Sequence, residues 1–250
     1  MMRILQDLAT AFQFLTRLPL GRVPYDENAL SRSAKFFPLV GLFIGILGSV
    51  AYLWFIRHLP PAVAALLTVA LLILATGGLH EDGLADVADA FGGGWNREQI
   101  LSILKDSRIG AFGTLALLVS VGLRVLLLAK LPVGRFAAYL ISGQVLCRWT
   151  ALPLGYALSA ARESSVHSQG ARIARQISGT SLAMGSLFSL IIVGCALRWA
   201  MLSPLVATLA VTLFTGLYYW RRIGGITGDC FGATNQLAEI AVYLCGVWHP

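Results

Sequence analysis

Six of the chain's twelve acidic residues fall between Glu81 and Asp106, in a stretch flanked on both sides by apolar segments. Asp82, Asp86 and Asp89 are spaced by four and three residues, so on an α-helix they share one narrow face. Three like charges so placed repel one another: either their pKa values rise or a cation binds among them. The donors are oxygens, with no paired His or Cys, which suits Mg²⁺, with Mn²⁺ as the alternative, better than zinc. His80 points away from this face if the helix runs through it. The plainer explanation is a solvated helix end bearing ordinary surface acids, but carboxylates gathered beside a bilayer are unfavourable unless something offsets their charge.

The residues that follow supply the opposite charge. Phe91 and Gly92-Gly93-Gly94 are expected to end the acidic helix in a flexible loop. Asn96 with Gln99 reads as a helix start close in form to a capping box. That short helix ends at Lys105-Asp106-Ser107-Arg108, and Ile109-Gly110-Ala111-Phe112-Gly113 opens the next apolar span. Gly110 and Gly113 at a helix N-terminus would let a phosphate approach backbone N–H groups. Lys105 and Arg108 would complete an anion site, although anchoring bases at a membrane boundary look the same. A second polar segment, Gly224 to Glu239, contains Asp229, a candidate metal ligand or base. It also contains Asn235 and Glu239, one turn apart on one helix face. Glu239 and Arg148 both lie inside apolar spans, where they either pair with each other or line a polar cavity. Arg124, nearer the outer end of its span, is expected to snorkel.

What must position these residues is a membrane scaffold. The chain has 250 residues, 57% of them hydrophobic and 12% charged, with a mean hydropathy of +0.74. A soluble domain carries about a quarter charged residues. The expected fold is therefore all-α, a polytopic helix bundle forming one domain over residues 1–250. Runs near 37–56, 61–79, 111–129, 136–160, 181–198, 203–220 and 232–248 approach the roughly 20 apolar residues that cross a hydrocarbon core. About seven spans follow, with six to eight the bracket. Residues 1–35 form an N-terminal interfacial segment: Ile4, Leu5, Leu8, Phe12 and Leu15 make one face of an amphipathic helix against Arg3, Asp7, Gln13 and Arg17. With the N-terminus inside, thirteen of the nineteen Lys and Arg face the cytoplasm and four face outward, as the positive-inside rule prefers. The acidic stretch, the Gly224–Asn235 segment and the loop 161–180 then share the cytoplasmic face. The net charge of +7 is spread over loops as topology requires, which argues against a nucleic-acid partner. The four cysteines show no paired metal spacing.

The run Gly78-Leu79-His80-Glu81-Asp82-Gly83-Leu84-Ala85-Asp86-Val87-Ala88-Asp89-Ala90-Phe91 closely resembles the signature of the cobalamin synthase family, also called adenosylcobinamide-GDP ribazoletransferases. Lys105 to Gly113 is similar to the family's second motif, and Gly225-Ile226-Thr227-Gly228-Asp229 with Gly232-Ala233 to its C-terminal one. The resemblance spans nearly the whole chain. It implies the last assembly step of coenzyme B12 in the bacterial cytoplasmic membrane, using Mg²⁺. Adenosylcobinamide-GDP and α-ribazole, or its 5′-phosphate, would give adenosylcobalamin, or its phosphate, and GMP. The lipid bilayer and other B12-assembly enzymes are the implied surroundings.

On this reading Asp82, Asp86 and Asp89, with Glu81, hold the metal. Asp106 or Asp229 holds a second ion or accepts the hydroxyl proton, and Asp82, Asp106 and Asp229 form the catalytic set. Lys105, Arg108, Gly110, Gly113, Arg148, Asn235 and Glu239 contact substrate. The competing classes are a cation-coupled transporter, which would need broken, repeated spans with polar groups at the midplane, and an enzyme like the CDP-alcohol phosphotransferases. The chain lacks the Ala-Arg pair and the later Asp-x-x-x-Asp of that second class.

Overall fold

The computed structural model describes residues 2–19, 28–161 and 177–248. They are helical almost throughout; the one β pairing among them is an isolated parallel bridge between Ala160 and Ile226. The elements are α1 (Met2–Leu15), α2 (Ala29–Ser33) with a 3₁₀ turn (Ala34–Phe36), α3 (Phe37–Phe55), α4 (Pro61–Thr76), α5 (Leu79–Gly93), α6 (Arg97–Ile103), α7 (Ala111–Lys130), α8 (Val133–Trp149), α9 (Ala151–Ala157), α10 (Gly179–Leu197), a second 3₁₀ turn (Arg198–Met201), α11 (Leu202–Ile223) and α12 (Gly228–Trp248). Arg22 and the loop bases Arg162, Arg172 and Arg175 lie outside the described residues.

The outside of this bundle is greasy. Leu74, Leu118, Val206 and Phe214 are all more than 60% exposed on three different helices, the reverse of a water-facing surface. Three segments, Ala29–Phe55, Ala111–Lys130 and Gly179–Ile223, are long and apolar enough to cross a membrane. The last, at 45 residues, is about twice the length a hydrocarbon core needs. It turns back on itself at Arg198, whose φ of 54° is incompatible with helix. Its two free ends meet the same end of the bundle: Gly185 packs on the Lys35 carbonyl, and Arg222 donates to the Gly94 carbonyl at 2.9 Å. The chain is thus an all-α membrane helix bundle.

The expected span at 136–160 is instead α8, which starts at Val133 and stops at Trp149, followed by α9. Pro153 supplies the reason: its ring cannot donate to the carbonyl four residues back and clashes with it. The interfacial helix expected near 3–18 is α1. Its buried Asp7 takes Arg32 at 3.2 Å and Lys35 at 3.0 Å, tying α1 to the entrance of α3.

What matters most for a site is the turn from α4 into α5. The two helices meet at 91°, and both joining residues, Gly77 (φ 68°) and Gly78 (φ 71°), are left-handed. Only glycine adopts that conformation without strain. The chain leaves the apolar span and runs α5 across the end of the bundle, against α7 and α12. The acidic helix was expected to break at Gly92; it continues to Gly93, because Gly92 packs on the Phe112 ring and Gly94, not Gly92, leaves the helical conformation. Asn96 then caps α6 as its sequence indicated, its side chain accepting from the Gln99 N–H at 2.9 Å while Gln99 Oε1 accepts from the Trp95 N–H at 2.9 Å.

Candidate active site

Asp82, Asp86 and Asp89 lie on the single helix α5, with Asp82 exposed and the other two half-buried. The fourth carboxylate comes from the first turn of α12, where Asp229 accepts from the Thr227 hydroxyl at 3.2 Å. Two glycines bring it there. A Cβ placed on Gly83 would lie 2.8 Å from the Asp229 carbonyl oxygen and 3.2 Å from the Gly232 Cα, and one on Gly232 would lie 3.3 Å from the His80 Cα. The helices therefore touch backbone to backbone, the approach that small residues permit in membrane bundles.

The electrostatic result shows at Asp86. Partial burial, then the charges of Asp229, Asp82 and Asp89 in that order, push its carboxyl from the usual range up to about 6. Asp82, Asp86 and Asp229 thus form a cluster of mutually repelling carboxylates drawn from two helices. Among the described residues no three His, Cys, Asp or Glu side chains converge as a ready-made metal cage.

Asp89 has a different environment from its neighbours. Its Oδ2 accepts from the Gly110 N–H at 2.7 Å and its Oδ1 from the Gly113 N–H at 2.9 Å. A carboxylate of the chain itself thus caps the N-terminus of α7, where it also complements the helix dipole. The glycines expected to admit a phosphate leave room for this group: a Cβ on Gly110 would sit 2.9 Å, and one on Gly113 3.0 Å, from the Asp89 Cγ. Asp89→Ala is expected to remove about 1 kcal/mol of capping stabilisation from α7 and to speed amide hydrogen exchange at Gly110 and Gly113. Asp89→Asn, which keeps one acceptor, should lie between. A shift in divalent-cation affinity with unchanged exchange would place Asp89 among the ligands instead.

The bases near α6 are on the surface. Arg108 grips Asp106, donating to both carboxylate oxygens with Nη2–Oδ2 at 2.6 Å. Hydrogen bonding to Arg108 holds Asp106 down at about 2, so it is a weak proton acceptor. Lys105 is exposed beside this pair.

Glu81, Arg148 and Glu239 lie in the bundle interior, in a second cluster distinct from the carboxylate face, and Asn235 is buried one turn before Glu239 on α12. All four are buried. Arg124, expected to snorkel, is only 2% exposed. It reaches inward because Glu81 Oε1 lies 2.9 Å and Glu239 Oε2 3.7 Å from its guanidinium. Arg148 does not pair with Glu239; it donates to the Gln144 side chain at 2.7 Å and the Gln144 carbonyl at 3.0 Å. Gln144 donates to the Tyr243 hydroxyl at 2.9 Å, and Tyr243 donates to Glu239 at 3.0 Å. Gln236 donates to Glu81 at 3.2 Å and accepts from Ser120 at 3.0 Å. His80 does point away from the acidic face, into this interior, where burial and the charges of Arg148 and Arg124 push it well below its ordinary range and keep it neutral. The residues that the sequence did not single out for this cluster are Gln144, Gln236 and Tyr243, with Arg124 expected to snorkel instead. The available signal was periodic: Ser120 with Arg124, and Gln236, Glu239 and Tyr243, recur at helical spacing inside apolar spans.

The chain can also be compared with known proteins. The family model described as cobalamin-5-phosphate synthase matches residues 7–247. A protein of Polaromonas sp. named adenosylcobinamide-GDP ribazoletransferase is 38% identical over 97% of this chain and 96% of its own. Relatives of the same name from Ralstonia nicotianae and Leptospira interrogans are each 36% identical, over 95% and 94% of this chain and 93% and 92% of their own. No solved structure matches. The match takes in both helices of the carboxylate cluster and all of the buried charges behind it, and the chain belongs to the cobalamin-5-phosphate synthase family.

Proposed function

We propose that this chain transfers the cobinamide phosphate of adenosylcobinamide-GDP to α-ribazole or its 5′-phosphate, and that the reaction takes place at the carboxylate cluster of α5 and α12. The observation that carries this is the convergence of Asp82, Asp86 and Asp229 at one end of an apolar bundle, with Lys105 and Arg108 exposed in the segment that leads to the Gly110 N–H bound by Asp89. A ribose hydroxyl oxygen forms a bond to the phosphorus that carries the cobinamide. The bond from that phosphorus to the bridging oxygen breaks, the bridging oxygen leaves with GMP, and the hydroxyl proton passes to a carboxylate. Little covalent work falls to the protein; positioning and charge neutralisation dominate.

The cluster fits Mg²⁺. Its donors are all oxygens, and Mg²⁺ is commonly held by one or two carboxylates together with substrate phosphates and water, so a closed protein cage is not needed. Asp82 and Asp86 would hold the ion, with Mn²⁺ a substitute, and Glu81 and Asp89 contribute by fixing α5. Bound there, the ion supplies charge neutralisation on the pyrophosphate. Asp229, the largest single source of charge on Asp86, is the proton acceptor, a role to which Asp106 is poorly suited with Arg108 bonded to it. Lys105 and Arg108 attract the departing GMP phosphate. Arg148, Asn235 and Glu239 act on substrate through the helices they hold.

The cation-coupled transporter finds no support in the interior charges. Arg124 lies between Glu81 and Glu239, and all three are shut off from solvent, whereas an ion path needs an accessible site. We further assign seven crossings to α3, α4, α7, α8, α10, α11 and α12, with the N-terminus and the carboxylate cluster on the cytoplasmic side of a bacterial inner membrane.

Two measurements test this. Purified protein incubated with adenosylcobinamide-GDP, α-ribazole or its phosphate, and Mg²⁺ should yield the cobalamin product and GMP in equal amounts, and EDTA should stop it. Well-folded protein that releases no GMP would refute the assignment. The second concerns the repulsion at Asp86. Its folded pKa of about 6 lies above the unfolded value, so the metal-free protein loses stability as pH rises from about 4 to about 6. Mg²⁺ should therefore raise the melting temperature more at pH 7.5 than at pH 5, and an equal rise at both would count against a metal at this cluster.

A further inference from the structure

Arg124 sits on α7, which carries none of the proposed ligands, yet it touches both helices that do. Its Nη2 lies 2.9 Å from Glu81 Oε1 on α5, and its Nη1 lies 3.7 Å from Glu239 Oε2 on α12. Glu81 immediately precedes Asp82, and Glu239 is on the same helix as Asp229. The joint from α4 is the left-handed pair Gly77-Gly78, whose N–H groups donate to the Leu74 and Ile73 carbonyls; these bonds set the turn but reach neither α7 nor α12. Something else must set how α5 lies against α12 while Asp86 and Asp229 push apart. The Gly83–Gly232 contact brings the helices together by packing, and the repulsion between Asp86 and Asp229 works against it.

We propose that Arg124 is a positioning residue for the carboxylate cluster: by holding Glu81 and Glu239 at once, it fixes the distance between Asp82 and Asp86 on one helix and Asp229 on the other. The inference rests on the reading of those carboxylates as the Mg²⁺ site. The surrounding hydrogen bonds support a fixed geometry. Gln236 donates to the same Glu81 oxygen that Arg124 contacts, and Ser120, one turn before Arg124, donates to Gln236. On the other side Tyr243 fixes Glu239 and is itself held by Gln144. The two carboxylates are engaged by different nitrogens of one planar fork. The single ammonium of a lysine does not reproduce that arrangement.

The test uses the full chain in detergent, with Cys195 and Cys245 replaced by serine and nitroxide labels at the exposed positions Leu79 on α5 and Leu237 on α12. Three proteins are compared: wild type, Arg124→Lys, and the triple variant Glu81→Gln/Arg124→Gln/Glu239→Gln. The triple variant removes both carboxylates together with the guanidinium between them, so that no member of the trio is left without its partner, and it stays informative if the single variant does not fold. The electron-spin distance distribution in metal-free protein should be narrow in the wild type, and broader and longer in both variants. Mn²⁺ affinity, read from loss of the free-ion signal, should fall by about 10- to 100-fold, as when a group behind a metal ligand is removed. Saturating Mn²⁺ should restore part of the turnover. Folded variants with a wild-type distance distribution and wild-type Mn²⁺ affinity would overturn the proposal. A wild type that binds no Mn²⁺ refutes the metal reading instead, and the distance measurement then decides the role of Arg124 by itself.

Discussion

Asp82→Ala is expected to lower turnover by about a hundred- to a thousandfold, roughly 3–4 kcal/mol of transition-state stabilisation, while the protein inserts and melts as wild type. The separation of function from fold follows from its surroundings. Asp82 is exposed, at the rim of the cluster, whereas its neighbour Glu81 is buried against Arg124. Removing an exposed carboxylate that repels Asp86 costs the fold little and can relieve it. The companion measurement is Asp106→Asn. With Arg108 bonded to both its oxygens, Asp106 is a poor base, and its loss should reduce turnover by less than about tenfold, below the usual contribution of a general base. Asp229→Asn should resemble Asp82→Ala. If Asp106→Asn is the inactive one, proton transfer belongs to the α6–α7 segment and the assignment of Asp229 fails. Undiminished GMP release by Asp82→Ala would remove Asp82 from the metal site.

Gly83→Val is expected to destroy activity by a different route. A Cβ there meets the Asp229 carbonyl oxygen at 2.8 Å and the Asp229 Cα at 3.2 Å. These are backbone atoms of a packed helix and cannot rotate away as a side chain would. The helices must separate, at a cost of about 1–3 kcal/mol in overpacking. A misplacement near 1 Å between reacting groups lowers rate by about a hundredfold. The melting temperature and turnover should therefore fall together, without any ionisable group having been altered. Gly232→Val should do the same from the other side, since its Cβ would meet the Gly83 Cα at 3.2 Å. Full turnover in either variant would show that the Asp82–Asp86–Asp229 spacing is not what the reaction needs.

Periodicity carried the architecture. The apolar runs read from the sequence became α3, α4, α7, α10, α11 and α12 to within a few residues, because in a membrane a helix must satisfy its backbone hydrogen bonds internally. The amphipathic N-terminal helix and the Asn96 cap were legible for equally local reasons. The boundaries that moved involve proline and glycine. Pro153 ended α8 at Trp149, and Gly92 and Gly93 stayed helical, with Phe112 packed on Gly92.

The sequence by itself determined which residues could do chemistry: a 4–3 spacing puts Asp82, Asp86 and Asp89 on one face in any α-helix, and the likeness of that segment to one family pointed to the reaction. It did not determine how those acids divide. Asp89 caps α7, Glu81 is paired with Arg124, and Asp229 joins Asp82 and Asp86. The partners lie far away along the chain, from 21 residues for Gly110 on Asp89 to 155 for Gln236 on Glu81. Spacing within one helix says nothing about such distances. Only the packing of α5 across α7 and α12, through the two-glycine turn and the Gly83–Gly232 contact, decided which carboxylates are free to meet a cation and which are bound to the protein itself.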